Sequence, residues 1–328
     1  MTADTVREKA QDQEKRAALC LYAQLLSGIT LYACFRGSGA LWLSVLLTGP
    51  FLVLLRLLRK GAPGNPSRLL ALPFLVDSLA AYALLCGLIR LLLTDLPAWA
   101  AAGIVTAFFL LCAGKEDRAL TIMSRPAAWL IALPLFCCAL GCLPQGSLGR
   151  LFPLLGKGPA AAGMGGIWLA GCLSPAAAPA ETEKPGLLPA LTAWLLAIAT
   201  AALLAFLQPP FSPNPPASWA ACLSLPSRLS LPAALWAPTM AALILLLFYA
   251  HASALHTAGM ILSPGNPKNR RFLLIAAALL MLPAGALREE TFEQALLWAL
   301  PFRLIVTLAA LILERMKKYA PSKEGKNA

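Results

Sequence analysis

Two side chains of opposite charge lie in this sequence where there is little else that is polar. Asp77 sits in PFLVDSLAAYALL and Arg303 in LPFRLIV, each inside a long apolar run. At 1.5 Å per helical residue, Asp77 falls roughly 12 Å into its run, and Arg303, some eleven residues into its own, reaches a similar depth. An ionisable group so placed is costly and faces a bundle interior or a water-filled cavity. Asp77 can serve as a proton or cation site or as a salt-bridge partner; the bland alternative is a register that leaves it at an interface. Arg303 is its natural partner, because a buried guanidinium without a carboxylate is very expensive. An Asp77–Arg303 pair would act as a gate latch or as a brace.

The remaining polar residues of the apolar runs are few. Gln24, Ser27 and Thr30 recur three apart beside Gly28, a stripe that lines a cavity or makes a polar interhelical contact. His251 and His256, five apart, project about 140° from one another around a helix, so one metal cannot easily take both. Each is a hydrogen-bonded packing histidine or part of a proton relay. Ser253 and Thr257, at i and i+4, share a face; their hydroxyls are available to a sodium ion or a substrate, or bond back to their own helix. With His251 they form a candidate cation or proton site. Paired membrane carboxylates, H-E-x-x-H, G-x-S-x-G and a phosphate-cradling loop are all missing from the sequence. No enzyme, cofactor or metal is expected.

The elements that must carry these residues are apolar helices. The chain of 328 residues is 59% hydrophobic and 13% charged, with mean hydropathy +0.71, whereas a soluble domain is about a quarter charged. Runs such as 191–207, 236–250 and 272–287 approach the ~18 apolar residues that cross a bilayer. Ten spans are expected, over 17–35, 38–58, 69–93, 97–114, 127–143, 160–180, 186–207, 231–262, 271–287 and 292–314. The nine cysteines lie mostly inside these runs without a C-x-x-C pair; the closest set, Cys137, Cys138 and Cys142, reads as packing. Trp42, Trp99, Trp236 and Trp298 fall near span ends, as an aromatic belt expects. Trp168 does not, and is placed to wall a cavity.

Charge orients the spans. With both termini cytoplasmic, twenty basic residues fall on the inner side and five on the outer, with Arg90 and Arg303 inside spans. Positive charge is retained inside during insertion. This also accounts for the pI of about 9.5 without a nucleic-acid partner. The charged cluster Lys115–Arg118 then reads as a solvated inner helix end, and Arg288–Glu290 as its outer counterpart. The expected organisation is a cytoplasmic tail (1–16), a first five-helix repeat (17–143), an extracytoplasmic loop (144–159), a second repeat (160–316) and a polar cytoplasmic tail (317–328).

Five is odd, so a second set of five spans begins on the opposite side of the membrane from the first. That is the geometry of an inverted repeat, whose two opening helices are interrupted near mid-membrane. The sixth span belongs to GKGPAAAGMGGIWLAGCLSPAAAP (156–179), which carries six glycines and three prolines, the two poorest helix formers. The first span carries Ser27–Gly28. Interrupted backbone is tolerated at that depth only when buried in protein or lining a cavity, where its free N–H and C=O groups can hold a small zwitterion. Gln24, Ser27, Gly28, Gly163, Gly166, Trp168 and Gly171 are therefore the candidate ligand-binding residues. The competing reading of the glycines is close helix packing.

Several short motifs, taken together, resemble spore germinant-receptor B subunits, members of the amino acid–polyamine–organocation transporter superfamily. They are ALWLSVLL (40–47), AGKEDRAL (113–120) and LFPLLGKG (151–158). To these are added ALW…LLLFYAHASAL in span eight and a last helix with a proline followed by ERMKK. Leu120 stands where that family has an arginine. Glu181 and Glu183 are the candidates for a carboxylate that the family places in or just after span six. The resemblance implies an all-α membrane fold of the leucine-transporter type, ten helices in a 5+5 inverted repeat with broken helices one and six. It implies a core that binds an L-amino acid or another small germinant. The implied partners are an A-type receptor subunit and a C-type lipoprotein in the spore inner membrane. A secondary transporter of amino acids or cations, embedded in the same lipid, has the same fold and is the competing expectation.

Overall fold

The computed structural model describes residues 17–29, 41–60, 66–93, 96–113, 158–178, 187–207, 233–286 and 289–319. The expected fifth span (127–143) with its three cysteines, Thr30, Glu181 and Glu183, the Lys115–Arg118 cluster, Arg288 and both tails lie outside them, as does most of 144–159.

Within the described residues the chain is all helix, without a strand. The helices are α1 (Ala17–Ile29), α2 (Leu41–Leu46), α3 (Gly49–Lys60), α4 (Ala71–Leu92), α5 (Ala98–Ala113), α6 (Gly158–Ala170), α7 (Leu187–Leu207), α8 (Ala233–Leu262), α9 (Pro267–Ala286) and α10 (Glu289–Tyr319). The described parts of the expected spans are mainly helical, with a turn at Leu47–Thr48 inside the second. Three helical stretches, Leu41–Lys60, Arg68–Arg90 and Ala241–Leu262, are long and apolar enough to cross a membrane.

The distribution of polarity explains why these helices form and hold together. Large apolar side chains point outward, among them Leu111 (73% exposed), Phe272 (72%) and Leu280 (80%). Gln24, Ser27, Asp77, Ser78, Ser253 and Arg303 are buried inside. A helix apolar on all sides suits the interior of a large bundle or a lipid environment, and an exterior of this kind is compatible with a membrane protein. α4 and α8 share the most extensive interface and form the centre. α5 packs on α9, α4 on α5 and α9, and α8 on α9. α2 lies against both α6 and α7, while α10 crosses α3, α4 and α6. α1 enters the bundle through Tyr22, whose hydroxyl meets Thr200 of α7 at 3.0 Å, and Gln24, whose Nε2 donates to the Ala250 carbonyl of α8 at 2.9 Å.

Local breaks follow from particular residues. α9 starts where Gly265 takes φ 76°, a left-handed turn that glycine adopts without strain. Asn266 then caps the helix through its Oδ1, which accepts from the Asn269 N–H at 3.2 Å, ahead of Pro267, a favoured first helical residue. Span two is interrupted between α2 and α3 at Leu47–Thr48, just before Gly49–Pro50. Proline has no N–H and clashes with the preceding turn. The indole N–H of Trp194 on α7 reaches this turn, shared between the Val45 carbonyl and Thr48 Oγ1, each at 3.1 Å, beside the Thr48 N–H and hydroxyl that also donate to Val45.

Within the described residues helix one shows no interruption, and 30–35, the rest of the expected first span, lie outside them. α1 runs unbroken through Ser27 and Gly28 to Ile29. The Ser27 hydroxyl donates back to the Gln24 carbonyl at 3.0 Å, which is compatible with helix. Gly28 instead permits close approach, since a Cβ there would overlap the Sγ of Cys172. Span six does lose α geometry, but by tightening rather than unwinding: after Ala170 the chain continues as a 3₁₀ helix over Gly171–Ala177, every residue buried. Pro175 lies within that segment. A 3₁₀ stretch this long is uncommon and marks a hinge or a strained sequence.

A buried ion pair on the 3₁₀ segment of span six

Asp77, in the second turn of α4, and Arg303, on α10 just beyond Pro301, meet as an ion pair between Oδ1 and Nη1. Both are buried, at 0% and 1% exposure. The 3₁₀ segment supplies the rest of the cluster. The Ser174 hydroxyl donates to Asp77 Oδ2, and Arg303 Nη2 donates to the Sγ of Cys172 at 3.1 Å. Cys172 in turn carries Gly28 of α1 against its other side. Four helices thus converge on one neutral pair. Thiol sulfur is a weak acceptor, and the Nε of Arg303 has no partner among the described residues. For a guanidinium this deep, with five donors to satisfy, the cluster is short of acceptors.

The neighbouring residue, Ser78, faces the other way. Its hydroxyl lies 2.8 Å from Nδ1 of His251 on α8, and the Ser78 carbonyl lies 3.1 Å from the same nitrogen. The imidazole is enclosed by the rings of Phe109 and Tyr82, with centroids at 4.9 and 5.4 Å. Tyr82 extends the polar chain to Thr106 and the Ala102 carbonyl on α5, each at 3.1 Å. Fixed by Ser78 and packed between aromatic rings, His251 has the surroundings of a packing histidine.

The candidate cation or proton site does not assemble. Thr257 donates to the Ser253 carbonyl at 2.9 Å, and Ser253 reaches the Ala250 carbonyl at 3.3 Å, both on their own helix. Ser253 Oγ also lies 3.1 Å from Cys20 Sγ of α1, so Ser253 faces α1 while His251 faces α4. Helical hydroxyls bond back in this way when no stronger partner is offered. Among the described residues no three His, Cys, Asp or Glu side chains group to hold a metal.

The candidate ligand-binding residues divide. Gly171 abuts the backbone of α10, where a Cβ would overlap the Leu300 carbonyl oxygen, and Gly28 abuts Cys172. Both belong to the cluster around the ion pair. Gly166 packs on the Ser44 carbonyl and Leu47 at the α2 contact, away from that cluster. Gly163 is partly exposed with open space around it. Trp168 packs against Trp298 of α10, ring centroids 5.0 Å apart. Gln24 is fully buried with its Nε2 on Ala250, and its Oε1 has no partner among the described residues. Close packing is therefore what Gly28, Gly166 and Gly171 contribute.

Three features were not singled out from the sequence. Cys172 and Ser174 flank the pair; the legible signal was a Cys-x-Ser directly before Pro175 in the breaker-rich segment. The third is a second buried ion pair, Arg59 of α3 with Glu314 of α10, 2.7 Å apart and at most 4% exposed. The backbone N–H of Ser67 also donates to the Glu314 carboxylate. A single acid amid the basic run ERMKK was its only sequence signal. No protein-family model and no curated protein matches the chain.

Proposed function

We infer that this chain is a membrane subunit of a spore germinant receptor, one that binds a small germinant such as an L-amino acid in a transporter-like core. One observation carries the reading of the core: exchanging each span n for span n+5 maps the helix contacts onto themselves. The pairs one–six, two–seven, three–eight and four–nine are their own images, and all are in contact. Contact two–six (α2 with α6) has its image in seven–one, made by Thr200 and Tyr22. Contact three–four is matched by eight–nine. Contact one–eight, through Gln24 and Ala250, is matched by six–three, through Ser174 and Asp77. Contact three–nine is matched by eight–four, where Phe248 meets Phe108. The images of span ten's contacts would involve 127–143, outside the described residues.

An exchange of this kind between two sets of five spans supports the inverted repeat, because an odd number of crossings reverses the second set. It supports a core in which spans one and six meet, with Asp77 of span three and Arg303 of span ten completing the buried cluster. The short motifs in ALWLSVLL, LFPLLGKG and span eight support the receptor family and, through it, an A-type subunit and a C-type lipoprotein as partners in the spore inner membrane. The same repeat underlies secondary transporters, so the two readings part on flux rather than on fold.

The test is uptake and binding of labelled amino acids by the purified chain in vesicles, with and without sodium and proton gradients. Saturable binding without gradient-driven uptake is the expected result. Gradient-driven accumulation would make the chain a transporter, and neither binding nor flux would dismiss the small-solute core.

A further inference from the structure

The Asp77–Arg303 cluster is neutral and closed, yet short of acceptors for the guanidinium. Among the described residues its only strong acceptor is the Asp77 carboxylate itself, with Cys172 sulfur as a weak second and Nε unpartnered. Its outer members, Cys172 and Ser174, sit on the one segment of span six that has left α geometry, between α1 and α10. We propose that the pair is a receptor for a zwitterion, in which an α-amino acid inserts between the two side chains, its carboxylate on Arg303 and its ammonium on Asp77. The proposal rests on the reading of this core as a small-solute site.

Charge conservation selects the ligand class. A solute carrying only a carboxylate would leave a net negative charge in the cluster, and one carrying only an ammonium a net positive charge. Uncompensated charge in such surroundings is strongly unfavourable. A zwitterion replaces one ion pair with two and leaves the total at zero. It also brings two carboxylate oxygens to a guanidinium, which offers parallel donors matched to that geometry. Ser174, which now donates to Asp77 Oδ2, remains in place to orient that carboxylate toward an ammonium. The cost of parting Asp77 from Arg303 is met by the ligand's own two charges, so the closed pair stands in for the ligand when none is bound. Its separation would also release Cys172 from Arg303 and with it the contact to Gly28 of α1.

The experiment uses the full chain in lipid nanodiscs and reads its thermal midpoint. Asp77→Ala leaves Arg303 charged and alone, and Arg303→Ala leaves Asp77 so. Acetate is expected to raise the midpoint of the first variant by about 1.5 °C or more, the shift that about 1 kcal/mol produces in a protein of this size, while acetamide and chloride do not. Methylammonium is expected to do the same for the second variant and not for the first. In the wild type, each amino acid of a proteinogenic panel is compared with its amide and its deaminated acid, and only the zwitterions are expected to shift the midpoint. Equal effects of acetate and acetamide, or an amide as effective as its parent amino acid, would overturn the proposal while leaving the small-solute core intact. Ion-specific rescue of both variants with a wild type indifferent to the whole panel would keep the pair's two charge preferences but defeat the amino-acid core. If either variant fails to fold, the wild-type comparison of amino acid with amide and acid decides alone.

Discussion

Gly171 of the 3₁₀ segment and Leu300 of α10 touch backbone to backbone, closely enough that a methyl group on Gly171 would overlap the Leu300 carbonyl oxygen. Neither partner is a flexible side chain, so the contact has no cheap way to relax. Gly171→Ala should therefore destabilise the protein by about 1–3 kcal/mol, the usual cost of overpacking. Gly163→Ala, eight residues earlier on the same span with open space around it, should be neutral or stabilising by up to about 1 kcal/mol through helix propensity. Thermal unfolding of the two variants in detergent measures the contrast. Equal midpoints would mean that the 3₁₀ segment and α10 do not approach as described.

Asp77 and Arg303 should behave as one unit. Removing either partner, as Asp77→Leu or Arg303→Met, leaves a buried charge and should cost about 3–5 kcal/mol. The double variant replaces the pair by apolar groups and should recover most of that loss, giving a coupling well above about 1 kcal/mol in a double-mutant cycle. The same double variant separates a brace from a receptor: stability returns, while any response to amino acids stays lost. Additive single effects would show that the two do not pair.

The pair itself was legible because charge inside an apolar run has so few solutions. One acid and one base at similar depth in different spans leave each other as the economical partner, and the two meet. The breaker-rich span six was legible for a related reason: Pro175 cannot extend an α-helix, and the chain tightens into 3₁₀ turns ahead of it. Gly28 left two readings open, because a glycine that lets two helices touch and a glycine that ends a helix look alike until the neighbour is known. Here the neighbour is Cys172, on a segment far away in sequence. Ser253 and Thr257 were ambiguous in the same way, their hydroxyls turning to their own helix. The interruption in span two had a clear signal in Gly49–Pro50, but the hydrophobic run through it concealed the break.

Trp194 closes that interruption. Its indole N–H reaches the Val45 carbonyl and Thr48 Oγ1 at the turn between α2 and α3, beside the Thr48 donors to Val45, and its ring lies against Gly49. Trp194→Phe keeps most of the ring volume and removes the donor, with an expected cost of about 0.5–1.5 kcal/mol, that of one hydrogen bond. Trp194→Ala also empties the space beside Gly49 and should cost about 3–5 kcal/mol. Thermal midpoints in the order wild type, Phe, Ala are the expected result. A Phe variant as stable as the wild type would show that the gap needs no external donor.

Glu314 joins three chain segments at one end of the bundle, and its two oxygens have different duties. Oε2 pairs with Arg59 of α3, while Oε1 accepts the Ser67 N–H ahead of α4. Arg315, the next residue, donates to the Leu57 carbonyl at 2.8 Å and ties α10 to α3 a second time. Glu314→Ala strands a buried guanidinium and an N–H together, for an expected loss of about 3–5 kcal/mol. Glu314→Gln removes the charge but keeps an oxygen that the Ser67 N–H can use, so it should cost distinctly less than the alanine variant. Exchange of the two charges, Arg59→Glu with Glu314→Arg, restores the ion pair but offers Ser67 only donors; it should recover part of the loss and not all. Unfolding midpoints of the three forms measure the two duties separately. Full recovery in the exchanged form would mean that the Ser67 contact contributes nothing, and no recovery would mean that the ion pair does not.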